Sequence, residues 1–284
     1  MNKTADSKYE KQAAAAFTKQ STVFDEIYSR NTIIRYKRTR VRDHVQQFIN
    51  RNSSILELNA GTGEDAIYFA QQGHYIHATD ISEGMLAKLS EKVRVNHLEN
   101  NITHELCSFT TLAQLKQKGP YDLIFSNFAG LNCTKQLHKV LQTFSPLLKE
   151  NGIITLVILP KFCLWETLLF FKGKFKTAFR RFFSSNGKKA HIEGMHFRCW
   201  YYSPSFIKKH TKQEFEVIAT EGLCTIVPPS YIENFAEKHQ KLFAFLKKLE
   251  EKWKCKWPWR SIGDYYIISL KKRKANQDTV AIDF

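Results

Sequence analysis

The chain has 284 residues, 43% of them hydrophobic and 13% aromatic, which is enough to bury the core of one α/β domain with elaborations or of two small domains. No apolar run reaches the roughly 18 to 20 residues that a membrane span requires, and the polar first ten residues lack the apolar segment of a secretory signal, so a cytoplasmic protein is expected. The formal net charge of +16 excludes an acidic chain and is unevenly placed: residues 1–50 carry 10 Lys/Arg against 5 Asp/Glu, residues 51–160 carry 9 against 10, and residues 161–284 carry 24 against 12. A neutral middle between basic flanks suits a cofactor-binding centre with a substrate side that meets an acidic or surface-bound partner. Six scattered cysteines form no CxxC and no cluster with zinc-ligand spacing, so reduced thiols and no metal site are expected.

Phe17, Phe24, Ile27 and Tyr28, then Ile33, Ile34, Val41, Val45, Phe48 and Ile49, recur at helical spacing and predict two amphipathic helices within residues 8–50. Asn52-Ser53-Ser54 breaks that pattern, and the short apolar run Ile55-Leu56-Glu57-Leu58 predicts a buried parallel strand. The signals then alternate: a glycine loop, a helix over 64–73, a strand at 75–79, a helix over 83–98, a strand near 104–107 and a helix over 110–117. A strand at 121–126, a helix over 134–149, the turn Glu150-Asn151-Gly152 and a strand at 153–159 follow. Alternation with short loops predicts a doubly wound parallel sheet with ligands at the carboxyl ends of its strands.

After Pro160 the alternation stops. Residues 162–183 form an aromatic, basic amphipathic stretch, residues 184–196 are polar, a strand is expected at 197–202 and a helix at 205–211. A strand at 215–227, a helical hairpin over 231–253 and a closing strand at 264–270 complete the pattern. The expected organisation is N-terminal helices of the substrate side at 1–50, a cofactor core at 51–160, a cap with strand six at 161–260, a final sheet strand at 261–273 and a disordered tail at 274–284.

The loop Asn59-Ala60-Gly61-Thr62-Gly63 sits between strand and helix, where glycine lets backbone approach a ligand closely. Gly61-x-Gly63-x-x-Ala66 followed by Asp80, about twenty residues on, also fits a dinucleotide fingerprint. Glu57 argues otherwise, because a pyrophosphate binder has no use for a carboxylate ahead of its glycines, whereas a cationic cofactor does.

With those residues the chain resembles the class I S-adenosylmethionine-dependent methyltransferases. The matching motifs are Leu56-Glu57-Leu58-Asn59-Ala60-Gly61-Thr62-Gly63, Ala78-Thr79-Asp80-Ile81-Ser82 with Met85-Leu86, Tyr121-Asp122-Leu123-Ile124-Phe125-Ser126-Asn127, and Leu147-Leu148-Lys149-Glu150-Asn151-Gly152. The resemblance covers about residues 50–160 and implies an α/β fold with a seven-stranded, mostly parallel sheet and one antiparallel strand near the C-terminus; the aromatic stretch after Pro160 reads as a helical, aromatic cap inserted after strand five. It implies S-adenosylmethionine as cofactor: Gly61 and Gly63 approach its methionine portion, Asp80 holds the ribose, Ile81 packs on adenine and Asn127 lies near the methionine end. The full expected cofactor set is Glu57, Asn59, Ala60, Gly61, Thr62, Gly63, Asp80, Ile81, Met85, Ser108, Phe109, Asn127 and Phe128. Asn59 and Ser108 depart from the family, which usually has glycine at the first and often an acid toward adenine at the second.

Methyl transfer from a sulfonium needs alignment and desolvation more than a nucleophile. Where the acceptor must lose a proton, His191 and His196 are the candidate general bases. Phe128-Ala129-Gly130 replaces the Asn-Pro-Pro-Tyr type of segment that holds planar amines, so adenine and glutamine acceptors are not expected. The aromatic, basic stretch suits a lid over a small hydrophobic or aromatic substrate, presented by an acidic carrier protein or at a membrane surface. The basic flanks keep an RNA acceptor open as an alternative, and a non-catalytic cofactor-binding module is the third reading.

Overall fold

The computed structural model describes residues 3–274 apart from residue 233. Three helices open the chain, α1 (Lys3–Gln20), α2 (Phe24–Arg30) and α3 (Thr32–Gln46), where the apolar spacing predicts two. The extra break is the turn at 21–23, which splits the first expected stretch between Phe17 and Phe24; the expected boundary falls at Asn31, whose carboxamide oxygen accepts hydrogen bonds from the Ile33 and Ile34 N–H groups and starts α3.

The core alternates as expected through β1 (Ser54–Leu58), α4 (Glu64–Gln71), β2 (Tyr75–Asp80), α5 (Glu83–Val95), β3 (Ile102–Leu106) and β4 (Tyr121–Ser126). Ser82 caps α5 by accepting from the Met85 N–H, and Glu83 and Arg94 lie at the ends where the helix dipole favours them. Residues 110–117 do not form the expected helix; only a 3₁₀ turn at Leu112–Gln114 appears, since two threonines precede it and the run is too short to repay helix nucleation. The helix expected over 134–149 is shortened to α6 (Leu137–Gln142) and a 3₁₀ turn with Pro146 in its first turn. Strand β5 (Leu148–Ile158) starts earlier than expected: Tyr121 pairs with Leu148 but Leu123 with Ile153, so Glu150-Asn151-Gly152 is a bulge within the strand, with Asn151 left-handed.

Beyond β5 come α7 (Leu164–Leu168), α8 (Phe175–Ala178) and a hairpin of β6 (Lys188–Ile192) with β7 (Met195–Cys199). The polar stretch 184–196 thus holds a strand, and the expected strand at 197–202 is displaced by two residues. Then follow α9 (Pro204–Thr211), β8 (Phe215–Leu223), α10 (Phe235–Lys238), α11 (Gln240–Trp253) and β9 (Tyr265–Lys272). The expected tail, from residue 275 on, lies outside the described residues.

The seven-stranded sheet runs β3-β2-β1-β4-β5-β9-β8, with β9 antiparallel to both neighbours and every other strand parallel to the next. Ile55, Leu56 and Leu58 are wholly buried because β1 faces a helical layer on each side. The strand order reverses between β1 and β4, which opens a crevice at their carboxyl ends.

Two polar contacts fix α3 beside that crevice: Arg40 pairs with Glu221 at 3.0 Å, and His44 bridges Glu221 and Ser269, each at 2.8 Å. Helix α1 lies over α5 at Gly84, where a Cβ would come within 2.8 Å of Ser21 Oγ and 3.0 Å of the Thr18 carbonyl. Gly84→Val is therefore expected to cost about 1–3 kcal/mol through overpacking, read as a lower urea midpoint at unchanged slope.

Candidate active site

Where β1 ends, Asn59, Gly61 and Gly63 all adopt left-handed backbone, with φ of 49°, 58° and 82°. Asparagine tolerates this region better than most residues, and here its side chain is also used. The Asn59 Nδ2 donates to the Asn127 carbonyl at 3.0 Å and its Oδ1 accepts from Ser126 Oγ at 2.7 Å. A Cβ on Gly130 would overlap the Asn59 carboxamide at 2.1 Å, so the loop after β1 is clamped to the loop after β4.

The two glycines of the loop do different work. Nothing lies within 4 Å of a Cβ built on Gly61, which faces the crevice, whereas a Cβ on Gly63 would meet Leu89 Cγ at 2.7 Å. Gly63 permits α4 to start against α5 and does not line the crevice, contrary to the expectation for it. The Gly61 N–H donates to one oxygen of Asp80 at 2.9 Å and the Ser82 N–H to the other at 2.8 Å. Burial raises the Asp80 carboxyl, and these N–H groups pull it back.

The crevice is a cavity of about 260 Å³, lined by Glu57, Asn59, Ala60, Gly61, Thr62, Asp80, Ile81, Met85, Phe109, Asn127 and Phe128 among the expected cofactor residues. Ser108 is not among its walls; its hydroxyl donates to Glu10 Oε2 at 3.2 Å, and it is Glu10, from α1, that reaches the cavity.

Glu57 and Asp65 are two buried acids with opposite fates. Burial pushes the Asp65 carboxyl up, but Arg38 and Arg42, each at 2.7 Å, together with Asn127 Nδ2 at 2.8 Å, outweigh it and hold Asp65 ionised. Burial, and after it the negative Asp65 and Asp80, hold the Glu57 carboxyl well above the usual range although Arg38 and Arg42 pull the other way. Glu57 Oε2 is buried without any hydrogen-bond partner. An orphaned acceptor in a cavity wall is costly, and a cationic N–H donor is the chemistry that would satisfy it. The ammonium of S-adenosylmethionine supplies such a donor, Gly61 leaves space for backbone contact, Asp80 retains lone pairs for a ribose hydroxyl, and Ile81, Met85 and Phe109 offer apolar wall to an adenine.

The roof of the cavity escapes motif reasoning. Phe24 and Tyr28 of α2, with ring centroids 4.2 Å apart, and Lys37 and Arg38 of α3 line it. Thr62 and Lys92 both bind Asp25 and so fasten α2 to the glycine loop. Opposite, Phe128 and Tyr265 stand edge to face at 6.1 Å, with the Lys37 ammonium 4.6 Å from the Tyr265 ring and Arg38 4.8 Å from that of Phe128. One signal for this was present: Arg38 and Arg42 are four residues apart and share a helix face. Their target, Asp65, is invisible without the fold.

His191 and His196 do not form part of the site. Both are exposed and face each other across the β6–β7 hairpin at 4.8 Å, away from the cavity walls. A general base must come within hydrogen-bond reach of the proton it takes, so from this hairpin neither histidine fills the catalytic role expected of it. Among the described residues the cavity lining contains no histidine, and its titratable groups are carboxylates, Tyr28, Tyr265, the thiols Cys107 and Cys133, and the cations of α3. Cys163, Glu166 and Asp264 do converge, within 4.8 Å, but Arg180 and Arg181 already occupy the Glu166 carboxylate and Arg181 that of Asp264.

Residues 55–152 match the model of a methyltransferase domain. A protein of Geobacillus sp. (strain WCH70), whose methyltransferase name is itself an assignment, is 32% identical over 108 residues; the match spans 35% of this chain and 40% of that relative. Among solved structures, the 1,6-didemethyltoxoflavin-N1-methyltransferase of Burkholderia thailandensis, with bound 1,6-didemethyltoxoflavin and S-adenosylhomocysteine, superposes with a TM-score of 0.58 at 13% identity, covering 96% of this chain and 93% of its own. The geranyl diphosphate C-methyltransferase of Streptomyces coelicolor A3(2) superposes with a TM-score of 0.55 at 11% identity, covering 84% and 80%. At such identities the superpositions speak to fold alone.

Proposed function

From a chain whose residues 55–152 are a methyltransferase domain on the class I, S-adenosylmethionine-dependent fold, we propose that the protein transfers a methyl group from S-adenosylmethionine to a small apolar or aromatic acceptor. The observation that carries the cofactor half is Glu57, a buried acid with an unpartnered oxygen in the cavity wall. S-adenosylmethionine, when bound, supplies a methyl group already activated on a sulfonium.

What remains for the chain is alignment and exclusion of water. The α1–α3 roof encloses the cavity, and the pairs Phe24–Tyr28 and Phe128–Tyr265 offer flat apolar walls, which supports an acceptor with a planar or hydrocarbon body. Phe128 and Ala129 adopt left-handed backbone, φ 45° and 64°, a conformation that non-glycine residues hold only when their surroundings impose it. The Phe128 N–H is fixed by Asn127 Oδ1 at 2.7 Å and the Ala129 N–H by the Val157 carbonyl at 3.0 Å, which presents the Phe128 ring to the cavity. Lys37 is buried, 3.1 Å from Ser230 Oγ and 3.5 Å from Asp264. It supports an acidic group on the acceptor, which would give this cation a closer partner.

Isothermal titration is expected to show S-adenosylmethionine and S-adenosylhomocysteine binding with micromolar dissociation constants, and no NAD binding. Labelled S-adenosylmethionine should then transfer its methyl to an apolar organic-extract fraction that RNase leaves intact. Tight NAD binding without S-adenosylmethionine binding would overturn the assignment; label appearing only in RNase-sensitive material would move the acceptor to RNA.

A further inference from the structure

The segment 162–183 is folded inside out. Its buried members are Cys163, Ala178 and the charged Glu166 and Arg181, while Phe170, Phe171, Phe175, Phe179, Phe182 and Phe183 are exposed, with Phe171 at 82% and Phe183 at 74%. The polar underside is a tightly bonded cluster. Glu166 accepts from Arg180 Nε at 2.7 Å and from Arg181 Nε and Nη2 at 2.9 and 2.6 Å, and Arg181 also donates to the carboxylate and carbonyl of Asp264 at 3.1 and 3.0 Å. The rings on the outer side form one connected cluster. Phe170 touches Phe171, Phe175 and Phe179, Phe179 touches Phe182, and Phe182 touches Phe162, all with centroids between 5.1 and 6.1 Å.

A contiguous apolar surface of this kind is rare on a chain that meets only water. Exposed Lys172, Lys174 and Lys176 interleave with the rings, Arg180 stands at their base, and no carboxylate lies between Thr167 and Gly187. Rings that enter the boundary of head groups and acyl chains, with cations at head-group level, are the pattern of an interfacial anchor. We propose that the 162–183 cap docks on an anionic lipid bilayer. This goes beyond the methyl-transfer reading and does not depend on it.

The anchor is coupled to the cavity by a short path. Asp264 binds Arg181 of the cap through Oδ1 and Lys37 of the cavity wall through Oδ2, which links the docking segment to the cavity wall.

The test is cosedimentation of the full chain with vesicles of phosphatidylcholine alone or mixed equally with phosphatidylglycerol. Partitioning onto the phosphatidylglycerol vesicles is expected to exceed that onto phosphatidylcholine at least tenfold, and to fall steeply between 0.1 and 0.5 M salt. Phe171→Ser with Phe183→Ser, and separately Lys172→Glu with Lys174→Glu and Lys176→Glu, should each lower it tenfold or more. Unchanged circular dichroism and unchanged S-adenosylmethionine binding in solution would show that both variants fold. Absence of binding to anionic vesicles, or variants that bind them as wild type does, would overturn the proposal. A wild-type dimer that the double phenylalanine variant turns into a monomer, with no vesicle binding by either, would assign the surface to a second copy instead. Vesicle binding by a chain that ignores S-adenosylmethionine would refute the methyl-transfer reading and leave the docking surface standing.

Discussion

Glu57→Gln is expected to weaken S-adenosylmethionine binding about 10- to 100-fold while making the ligand-free protein more stable at neutral pH. The two effects share one cause. Burial, with Asp65 and Asp80 beside it, holds the Glu57 carboxyl well above its ordinary range, so between the unfolded value and the raised native one folding is coupled to proton uptake by this group. The native state binds more protons here than the unfolded state, and stability contributed by Glu57 therefore falls as pH rises from the unfolded pKa toward the raised native one, by about 1.4 kcal/mol per pH unit at most. Glutamine removes that penalty, so the variant's thermal midpoint should exceed that of the wild type at pH 7 to 8 and the difference should shrink toward pH 4.

Binding runs the other way. An ammonium ligand pairs with the carboxylate form, so its arrival releases the Glu57 proton, and wild-type affinity should rise with pH, by up to about tenfold per unit below the raised pKa. A buried charge-assisted hydrogen bond of this kind contributes about 1.5–3 kcal/mol, roughly twice the neutral one that glutamine can offer. Titration calorimetry in buffers of different ionisation enthalpy would detect the proton release directly. Wild-type affinity that is flat from pH 6 to 9, or a Gln variant that binds as tightly as wild type, would remove Glu57 from the cofactor site.

Gly61→Val is expected to abolish detectable S-adenosylmethionine binding, a loss of 1,000-fold or more, whereas Asn59→Gly should stay within about tenfold of wild type. At Gly61 an added Cβ has no protein atom within 4 Å and the residue lines the cavity, so the valine's volume is taken from the ligand, and the left-handed φ of 58° adds strain for a β-branched residue on the order of 1–3 kcal/mol. At Asn59 the change relieves a left-handed non-glycine residue but strips partners from the buried Ser126 hydroxyl and the Asn127 carbonyl. The first effect is worth about 1 kcal/mol and the second costs about 1–3 kcal/mol, so the variant should lose a little stability and keep the cavity. Measured affinities in the reverse order would mean that the cofactor approaches from another side of the loop.

The parallel core was legible because each of its signals is local. A buried strand between two helical layers must be apolar on both faces, as Ile55, Leu56 and Leu58 are, and a left-handed turn must use glycine or asparagine, as residues 59–63 do. The same locality explains the errors at 110–117 and 134–149, where helical spacing was present but proline and short length prevailed. Gly63 was assigned to the ligand when its neighbour is Leu89, because a glycine's partner across a tertiary contact leaves no trace in its own surroundings along the chain. His191 and His196 were chosen by residue type, and only the hairpin register shows that they pair with each other at the surface.

Local residues alone thus specify the doubly wound order, the cofactor loop and the acid ahead of it, since periodicity and turn chemistry are set by residues close in the chain. Three features come from the tertiary fold alone: that Asp65 is held below its ordinary range and Glu57 above it, that α1–α3 roof the cavity, and that segment 162–183 turns its phenylalanines outward. Each of those depends on charges and surfaces brought together from distant segments, and burial, which sets both pKa and exposure, is a property of the folded whole.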